Sequence, residues 1–394
     1  MSDLMMTEER DQLRAAVRAV AARHVGIREH MAARQHDEHD PAAPTIEEYD
    51  AATWNALASG VGAGGLLVAD ELGGSGGTIG DAAVVFEETA SVLLPVPLLS
   101  TVGLATSMLI ACGDAPEADR LATRLADSAQ VATVAFLEPG SGWFDSPSAT
   151  VAETDGESWR LTGTKTAVVD VTAADFLLVT AATPQGVAVF SVESGEDGAE
   201  PERRQSLDLG RDLGVLELKN APATLIQSGE KAESAIALGF DLAVTLLAAE
   251  QVGAAQKCLD GAVAYAKQRE QFDRKIGSFQ AIKHTLVQAL LEVEFARSTA
   301  GAAATAGDQW LARRDEPSRR ALRSAAATAK SVCSDAFMYV AEETLHVFGG
   351  VGFTWEHDAH LYYRRAKFCE LFLGTPEEHR ERLARTAGLG ERSR

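Results

Sequence analysis

The segment that decides the fold is Arg269–Gln280, with the sequence REQFDRKIGSFQ. It places a fixed cation, Arg269, close to the aromatic residues Phe272 and Phe279 and to the amide of Gln280. A guanidinium can pair with two phosphate oxygens in a fixed fork, so Arg269 is a candidate ligand for a phosphate group. Arg269 alone would more simply be one of the cations that often occupy a helix C-terminus. The spacing of the whole segment favours a bound cofactor.

A second motif lies further along the chain, where Phe348–Phe353 reads FGGVGF after the helical run 331–346. Glycine lacks a side chain, so backbone NH groups in such a turn can approach the phosphates of a ligand. Gly349 and Gly350 could also be no more than a C-cap, because helices often end on glycine. A third glycine and a phenylalanine follow at once, and they favour the cofactor interpretation.

Composition and charge exclude several classes of protein. The chain has 394 residues, enough for two or three domains with a large core. Its formal net charge of -21 argues against nucleic acid or an anionic membrane as a partner. No apolar stretch approaches the roughly 18 residues of a membrane-spanning helix, so membrane insertion is not expected. The cysteines lack CxxC spacing and the pair His357 and His360 has no third ligand in view, so a metal-free protein in a reduced cytoplasmic setting is expected.

Three zones of composition divide the chain. Residues 1–128 read as helical, and residues 129–230 carry short β-branched runs between turn residues, which are typical of a small antiparallel barrel or sandwich. Residues 231–394 return to helix, with Ala-rich faces that pack closely in a bundle. We therefore predict an α+β fold, mostly α, with an N-terminal helical domain, a middle antiparallel β domain and a C-terminal domain of the four-helix-bundle type. The Ala-rich faces are expected to form a tetramer-type interface between subunits.

The two motifs and the helix, β, helix order resemble the acyl-CoA dehydrogenase family over nearly the whole chain. The resemblance implies an oxidoreductase that acts on the CH–CH bond of an acyl-CoA thioester, with FAD as the cofactor and electron-transfer flavoprotein as a partner. In this family the residue that matches Arg269 contacts the FAD pyrophosphate and reaches a cofactor held mainly by a neighbouring subunit. The resemblance also implies cofactor contacts for Gln271, Phe272, Phe279, Gln280, His346, Gly349 and Gly350.

The middle zone departs from the family where the flavin edge is held. Family members carry Thr-Glu-Pro followed by Gly-Ser-Asp, and later Trp-Ile-Thr or Trp-Ile-Ser. The matching segments here are Leu137–Pro139, Gly140–Gly142 and Ala167–Val169, in which Leu137, Ala167 and Val169 replace the threonine, the indole and the later hydroxyl residue. The chain is therefore expected to hold an isoalloxazine ring poorly by itself.

Both positions for the family's catalytic glutamate are occupied by apolar residues, Leu373 and Ala243. The reaction needs a carboxylate to accept the α-proton, and neither side chain can do so. Glu250 lies seven residues beyond Ala243 on the same predicted helix, about 10 Å away. We expect a buried or interfacial glutamate paired with a cation there. Glu370 precedes Leu373 by three residues and is expected to point elsewhere.

We interpret the chain as a subunit of a flavin-dependent acyl-CoA dehydrogenase that completes the FAD site of a glutamate-bearing partner. It resembles the base-lacking subunit of heteromeric actinobacterial acyl-CoA dehydrogenases, which act on sterol side-chain thioesters. The resemblance implies a heterotetramer with a glutamate-bearing paralogue. Two alternatives stay open: a homotetramer that uses Glu250 or another carboxylate as a non-standard base, and a flavin-free structural subunit.

Overall fold

The helices and strands follow one another in three groups along the chain. The computed structural model describes residues 8–23, 27–28, 49–127, 129–154, 156 and 158–389. Within them, helices come first, a β-sheet follows, and long helices complete the chain, so the predicted mostly α, α+β fold class is confirmed. The first helices are α1 (Glu8–Ala21), α2 (Ala51–Asn55), α3 (Ile79–Ala90), α4 (Ser107–Cys112) and α5 (Pro116–Asp127), with π-helical turns at Ala56–Gly60 and Leu99–Thr106.

Helix α3 anchors the N-terminal helices to the rest of the protein. Thr78 and Asp81 form a capping box at its start, which satisfies the free NH groups of the first turn. Arg10 of α1 reaches Asp81 at 2.7 Å and Asp308 of the C-terminal helices at 3.2 Å. A Cβ atom at Gly80 would lie 2.1 Å from the Arg10 guanidinium, so a side chain there would displace the guanidinium from this position.

The described strands form a closed β barrel with two additional strands. The pairings β4–β5, β5–β7, β7–β3 and β3–β2 are antiparallel, and β2 returns to β4 through the pair Val151–Ala182. The sheet is therefore antiparallel except for the parallel pairs β2–β4 and β1–β4. The strands are β1 (Ala132–Ala135), β2 (Val151–Thr154), β3 (Trp159–Val169), β4 (Phe176–Thr183), β5 (Gly186–Glu193), β6 (Ala199–Arg204) and β7 (Leu213–Ser228).

A buried ion pair fixes the long loop that leaves β1. Lys165 Nζ lies 3.0 Å from Glu138 Oε1, and the Glu138 carboxylate accepts hydrogen bonds from the NH groups of Ser148, Ala149 and Thr150. Burial by itself would raise the pKa of Glu138, but the amide groups and the charge of Lys165 outweigh burial and lower the pKa to about 2. The loop between Glu138 and Thr150 is thereby held against the barrel.

The C-terminal helices bury their Ala-rich faces inside the same chain. The long helices are α6 (Gly229–Gln268), α7 (Gln280–Arg313) and α8 (Glu316–Phe348), and the shorter helices α9 (Ala359–Leu371) and α10 (Pro376–Thr386) pack on α8. Of the described helices, α6 has the length and hydropathy to cross a membrane, yet 78% of its most apolar window is buried within the protein. A buried cluster consists mainly of alanines from α6, α7 and α8: Ala248, Ala296, Ala300, Ala303, Ala329 and Ala336.

The expectation that these alanine faces form the contact between subunits is therefore wrong for the buried cluster. Small side chains let helices of one chain approach each other closely, and helix propensity does not tell which partner covers the face. The exposed apolar surface lies elsewhere on α7, at spacings of three, four and eight residues. We call it the α7 stripe: Val287, Leu290, Leu291 and Phe295, which are 46–59% exposed.

Glu138→Gln should reveal how much the Glu138–Lys165 ion pair contributes to the stability of the protein. The folded pKa of about 2 lies below the ordinary value of 4.5, so the stabilisation is complete above pH 4.5 and is lost as pH falls towards 2. The substitution should lower the free energy of unfolding by about 3 kcal/mol at pH 7, and its difference from the wild type should shrink below pH 4.5. Urea unfolding at a series of pH values measures this difference.

Glu200→Gln is the control. Glu200 lies on the exposed strand β6 and pairs with the exposed Lys219 of β7, so loss of this pair should change the free energy of unfolding little. A difference between Glu138→Gln and the wild type that does not vary with pH would contradict the assignment.

Candidate functional site

Two helix ends meet at one surface of the protein. The ring of Tyr265, near the end of α6, packs against the ring of Phe348 at the end of α8, with centroids 4.8 Å apart. Ala262, Ala266 and Val347 form a small buried cluster between the same two helices. The turn after α6 and the glycine-rich turn after α8 therefore lie side by side, although about 80 residues separate them.

The turn after α6 contains a β-hairpin of two short strands, β8 (Glu270–Gln271) and β9 (Arg274–Lys275). Phe272 and Asp273 form its two-residue loop with φ angles of 53° and 57°. Positive φ at both loop residues is the geometry of a type I′ hairpin, which a bulky side chain rarely adopts. The hairpin leaves 86% of the surface of Phe272 exposed.

Aromatic, cationic and amide groups gather next to this hairpin. The guanidinium of Arg274 lies 3.9 Å from the centre of the Phe279 ring, which is a cation–π contact. Phe272 meets Phe279 edge to face, with centroids 6.2 Å apart. Gln280 begins α7, and its Nε2 lies 2.5 Å from Nε2 of His284. The sequence-predicted residues of this segment therefore share one surface of the chain.

Arg269 is fixed through its backbone and leaves its guanidinium available. Its NH donates to Tyr265 O and its carbonyl accepts from the NH of Ile276, both at 2.9 Å. In the part of the chain that the structure describes, no carboxylate lies within 4.0 Å of this guanidinium. Residues 267–284 carry five cations and two carboxylates, a balance of +3 in a chain of net charge -21. An exposed guanidinium in a locally positive segment suits an anionic group such as a pyrophosphate.

The glycine-rich turn borders open space. Gly349 has a φ of 63°, which favours glycine, and a Cβ atom built on Gly349 or Gly350 would meet nothing within 4 Å. His346, one turn earlier, has an exposed side chain whose Nδ1 lies 3.5 Å from Glu343. These residues and Arg269 could hold the phosphates and adenosine of a FAD that approaches from outside the chain, because all of them face outwards.

The two positions at which the resemblance places a base lie in the interior. Leu373 and Ala243 both have 0% of their surface exposed. We call residues 372–375, which follow α9, the base loop. Burial lowers the pKa of His379 to about 3, so its ring is neutral, and its Nε2 donates to the Leu373 carbonyl at 2.8 Å. The loop is held in place, but no group at either position can accept a proton.

Two aromatic side chains of the loop after β1 cover the base loop. We call Trp143 and Phe144 the aromatic plug. The Trp143 ring packs edge to face on Phe372, with centroids 5.0 Å apart, and Phe144 contacts Phe240 and His379, each with centroids 5.3 Å apart. The plug lies between the barrel and the bundle, where it contacts the base loop directly.

The barrel edge at Ala167–Val169 supplies no side-chain donor in place of the hydroxyl and indole groups that the family carries there. Ala167 has a φ of 51° but no polar side chain, and Val169 is buried with 1% exposure. Neither residue offers a side-chain donor to an isoalloxazine ring. The chain therefore presents a guanidinium and an open glycine turn on its surface, whereas its barrel edge at Ala167–Val169 supplies no side-chain donor.

Glu250, the alternative base, is bound in an interior charge network. Its carboxylate lies 2.5 Å from Arg211 and 3.2 Å from Arg365, and Arg365 also pairs with Asp208. Burial would lower the pKa of Arg365, but Asp208 and Glu250 outweigh burial and raise the pKa above its ordinary value. Only 4% of the Glu250 surface is exposed. The expected pairing of this glutamate with cations is confirmed, and its oxygens are occupied.

A further buried pair near the plug was missed from the sequence. Asp241, on α6, is fully buried, and its Oδ1 lies 2.6 Å from Nη2 of Arg382 on α10. Burial raises the pKa of Asp241, although Arg382 opposes the shift. The guanidinium of Arg382 also lies over the rings of Phe144 and Phe240, at 5.4 and 5.8 Å. An acidic residue inside the apolar run of α6 was the available signal for this pair.

Glu370, His357 and His360 each contact a neighbouring side chain of the same chain. Glu370 pairs with Lys367 on α9. His357 and His360 each pack against an aromatic ring. Across the described residues, no group of three or more His, Cys, Asp or Glu side chains could hold a metal ion.

Family models match both helical parts of the chain. The acyl-CoA dehydrogenase N-terminal domain matches residues 7–128, and the acyl-CoA dehydrogenase C-terminal domain matches residues 234–388. The acyl-CoA dehydrogenase IpdE2 of Mycobacterium tuberculosis H37Rv is 33% identical over 376 residues, which cover 95% of this chain and 96% of that protein.

Two solved structures share this fold over nearly the whole chain. The ChsE4-ChsE5 complex from Mycobacterium tuberculosis has a TM-score of 0.82 at 28% identity and covers 99% of this chain and 100% of its own. A variant of the Tcur3481-Tcur3483 steroid ACAD has a TM-score of 0.80 at 29% identity, with coverage of 98% and 99%. Helices, a β barrel and a helical bundle in this order define a dehydrogenase fold whose family generally uses FAD. The chain belongs to the acyl-CoA dehydrogenase family.

Glu250→Gln should destabilise the protein because it removes the buried carboxylate that pairs with both Arg211 and Arg365. Removing one partner of a buried charge pair costs about 3 kcal/mol, and urea unfolding should show a loss of that size. Glu370→Gln is the matched control and should cost less than about 1 kcal/mol, because Glu370 pairs with a partly exposed lysine. Equal losses in the two variants would contradict a structural role for Glu250.

Proposed function

We propose that this chain is the base-lacking subunit of a heteromeric acyl-CoA dehydrogenase and completes the FAD site of a glutamate-bearing partner chain. One contrast carries the proposal: the Arg269 guanidinium is exposed and has no carboxylate within 4.0 Å among the described residues, whereas both base positions, Leu373 and Ala243, are apolar and buried. The chain can therefore contribute to a cofactor site without performing proton abstraction. When bound, FAD supplies the two-electron oxidation of the Cα–Cβ bond of the thioester.

The groups in the turns after α6 and α8 have separate tasks in this proposal. Arg269 pairs with the pyrophosphate of the FAD that the partner holds, because a planar guanidinium matches two phosphate oxygens. Gly349 and Gly350 leave room for the adenosine half, and His346 borders it. Phe272 projects from its hairpin and covers the cofactor from the side of this chain.

The surface next to Arg269 supports association with another chain. A groove of about 640 Å³ between α6 and α7 begins at Lys267 and is lined by Leu259, Val263, Leu286, Val287 and Leu290. The α7 stripe continues it with further exposed apolar side chains. Exposed apolar patches of this kind mark protein interfaces, and a chain that brings its FAD to Arg269 would cover them.

The names of two similar solved structures support the heteromeric assembly and the steroid substrate in this proposal. ChsE4-ChsE5 is a complex of two named chains, and the Tcur3481-Tcur3483 protein is described as a steroid ACAD. We propose an α2β2 heterotetramer that acts on a sterol-derived acyl-CoA, with electron-transfer flavoprotein as the electron acceptor.

Arg269→Ala should lower the FAD content of the complex and leave its fold intact. Loss of one charge-assisted pair at a phosphate costs about 1.5 to 3 kcal/mol, which weakens FAD binding roughly 10-fold to 150-fold. The measurement is the flavin absorbance per protein of the purified complex, with circular dichroism as the test of folding. Arg269→Lys should restore binding only partly, because an ammonium group lacks the planar fork.

The matched control is Arg320→Ala, which removes an exposed arginine from the first turns of α8. It lies about 40 Å along the helix from Gly349 and should leave FAD content unchanged. Unchanged FAD content in Arg269→Ala as well would overturn the assignment of Arg269.

The isolated chain should bind little FAD and show no acyl-CoA dehydrogenation with an artificial electron acceptor. Mixed with a glutamate-bearing paralogue, it should give an active flavoprotein with fewer flavins than subunits. Leu373→Glu or Ala243→Glu alone should not create activity, because the flavin edge at Ala167–Val169 stays apolar.

Robust turnover by this chain as a homo-oligomer would overturn the proposed division of roles. A complex that is colourless even with the partner would instead favour a flavin-free structural subunit.

A further inference from the structure

The hairpin after α6 has two chemically different faces. Gln271 lies opposite Arg274 in its ladder, and Glu270 lies opposite Lys275. Side chains opposite each other in a ladder share a face, and successive residues of a strand alternate between faces. Arg269 is extended, with φ of -67° and ψ of 132°, and precedes Gln271 by two residues, so it belongs to the face of Gln271 and Arg274. We call these three residues the arginine face.

The carboxylates of the hairpin do not neutralise the arginine face. Glu270 lies on the opposite face, where it pairs with Lys275 at 2.6 Å. Asp273 lies in the loop, and in the described part of the chain no carboxylate comes within 4.0 Å of the guanidinium of Arg269 or Arg274. The three residues of the arginine face are exposed. The face therefore presents two uncompensated positive charges on a chain whose net charge is -21.

An aromatic ring holds Arg274 in a defined place on this face. Its guanidinium lies over the ring of Phe279, 3.9 Å from the ring centre. A guanidinium in such a contact can still bind an anion, because the ring meets its planar surface and the NH groups donate from its edge. The contact also restricts the side chain beforehand, so less conformational freedom is lost when an anion binds.

The N-terminus of α7 lies next to the Arg274 guanidinium. Phe279 is the N-cap residue of this 34-residue helix, and its side chain makes no capping hydrogen bond to the NH groups of the first turn. Free NH groups and the positive end of the helix dipole favour an anion at this position. The cation of Arg274 and the start of α7 thus act on the same side of the hairpin.

We infer that Arg274 is a second phosphate-binding residue, so that this chain supplies two positive charges to the pyrophosphate of FAD. The inference rests on the proposed function, in which Arg269 binds that pyrophosphate. Each phosphate of the pyrophosphate in FAD carries one negative charge, and two guanidiniums balance them. Diagonal positions such as Arg269 and Arg274 are about 7–8 Å apart in a ladder, a gap that two long side chains can close around adjacent phosphates. Gln271 lies between them and can donate its amide to the same group.

Arg274→Gln tests the inference in the complex with the glutamate-bearing partner. The complex is freed of FAD and titrated with FAD, and binding is followed by flavin fluorescence. Loss of one charge-assisted pair at a phosphate should weaken binding about 10-fold. Arg274→Lys should bind with intermediate affinity, because it keeps the charge without the planar fork. The affinity of Arg274→Gln should also fall less steeply with added NaCl than that of the wild type, which a purely structural role would not cause.

Lys275→Gln is the matched control, because it removes one positive charge from the opposite face of the same hairpin. It should change FAD affinity less than about 2-fold, and circular dichroism confirms that each variant is folded. Wild-type affinity in Arg274→Gln, or equal losses in Arg274→Gln and Lys275→Gln, would overturn the inference while Arg269→Ala still loses FAD. Unchanged FAD binding in both Arg269→Ala and Arg274→Gln would overturn the proposed function as well.

Discussion

The contact between the ends of α6 and α8 decides where the exposed chemistry of this protein lies. Tyr265 packs on Phe348, and Ala262 and Ala266 pack on Val347, so two turns distant in sequence share one surface. If the helices diverged here, the hairpin cation and the open glycine turn would face different directions and could not bind one cofactor. The apolar packing between α6 and α8 therefore sets the relative positions of the polar groups in the two turns that follow these helices.

Helix α6 separates two sites that a self-sufficient enzyme would need to combine. Ala243 lies in its buried N-terminal half, whereas Arg269 follows its C-terminal end. The 26 residues between them correspond to about 39 Å of helix. At that distance the side chains around Ala243 can change without altering the surface at Arg269. The residues at the two ends of α6 can therefore differ in chemistry independently of one another.

The sequence was sufficient for features set by local residues and was not sufficient for those set by tertiary packing. Turn residues and β-branched runs located the barrel, and the motifs around Arg269 and Gly349 predicted two segments that the structure brings to one surface. The alanine faces were assigned to a subunit contact because composition does not say which surface covers a helix. Trp143 carries no signal of its own in the sequence, because its packing partner, Phe372, lies more than 200 residues away.

The charge network around Glu250 resists single substitutions. Asp208, Glu250, Arg211 and Arg365 balance in charge, so these ionic groups fill the interior and leave no net charge buried. Any single substitution that makes room there strands one or more charges in a low-dielectric interior, which is more unfavourable than the intact network. Making room there therefore requires simultaneous removal of opposite charges.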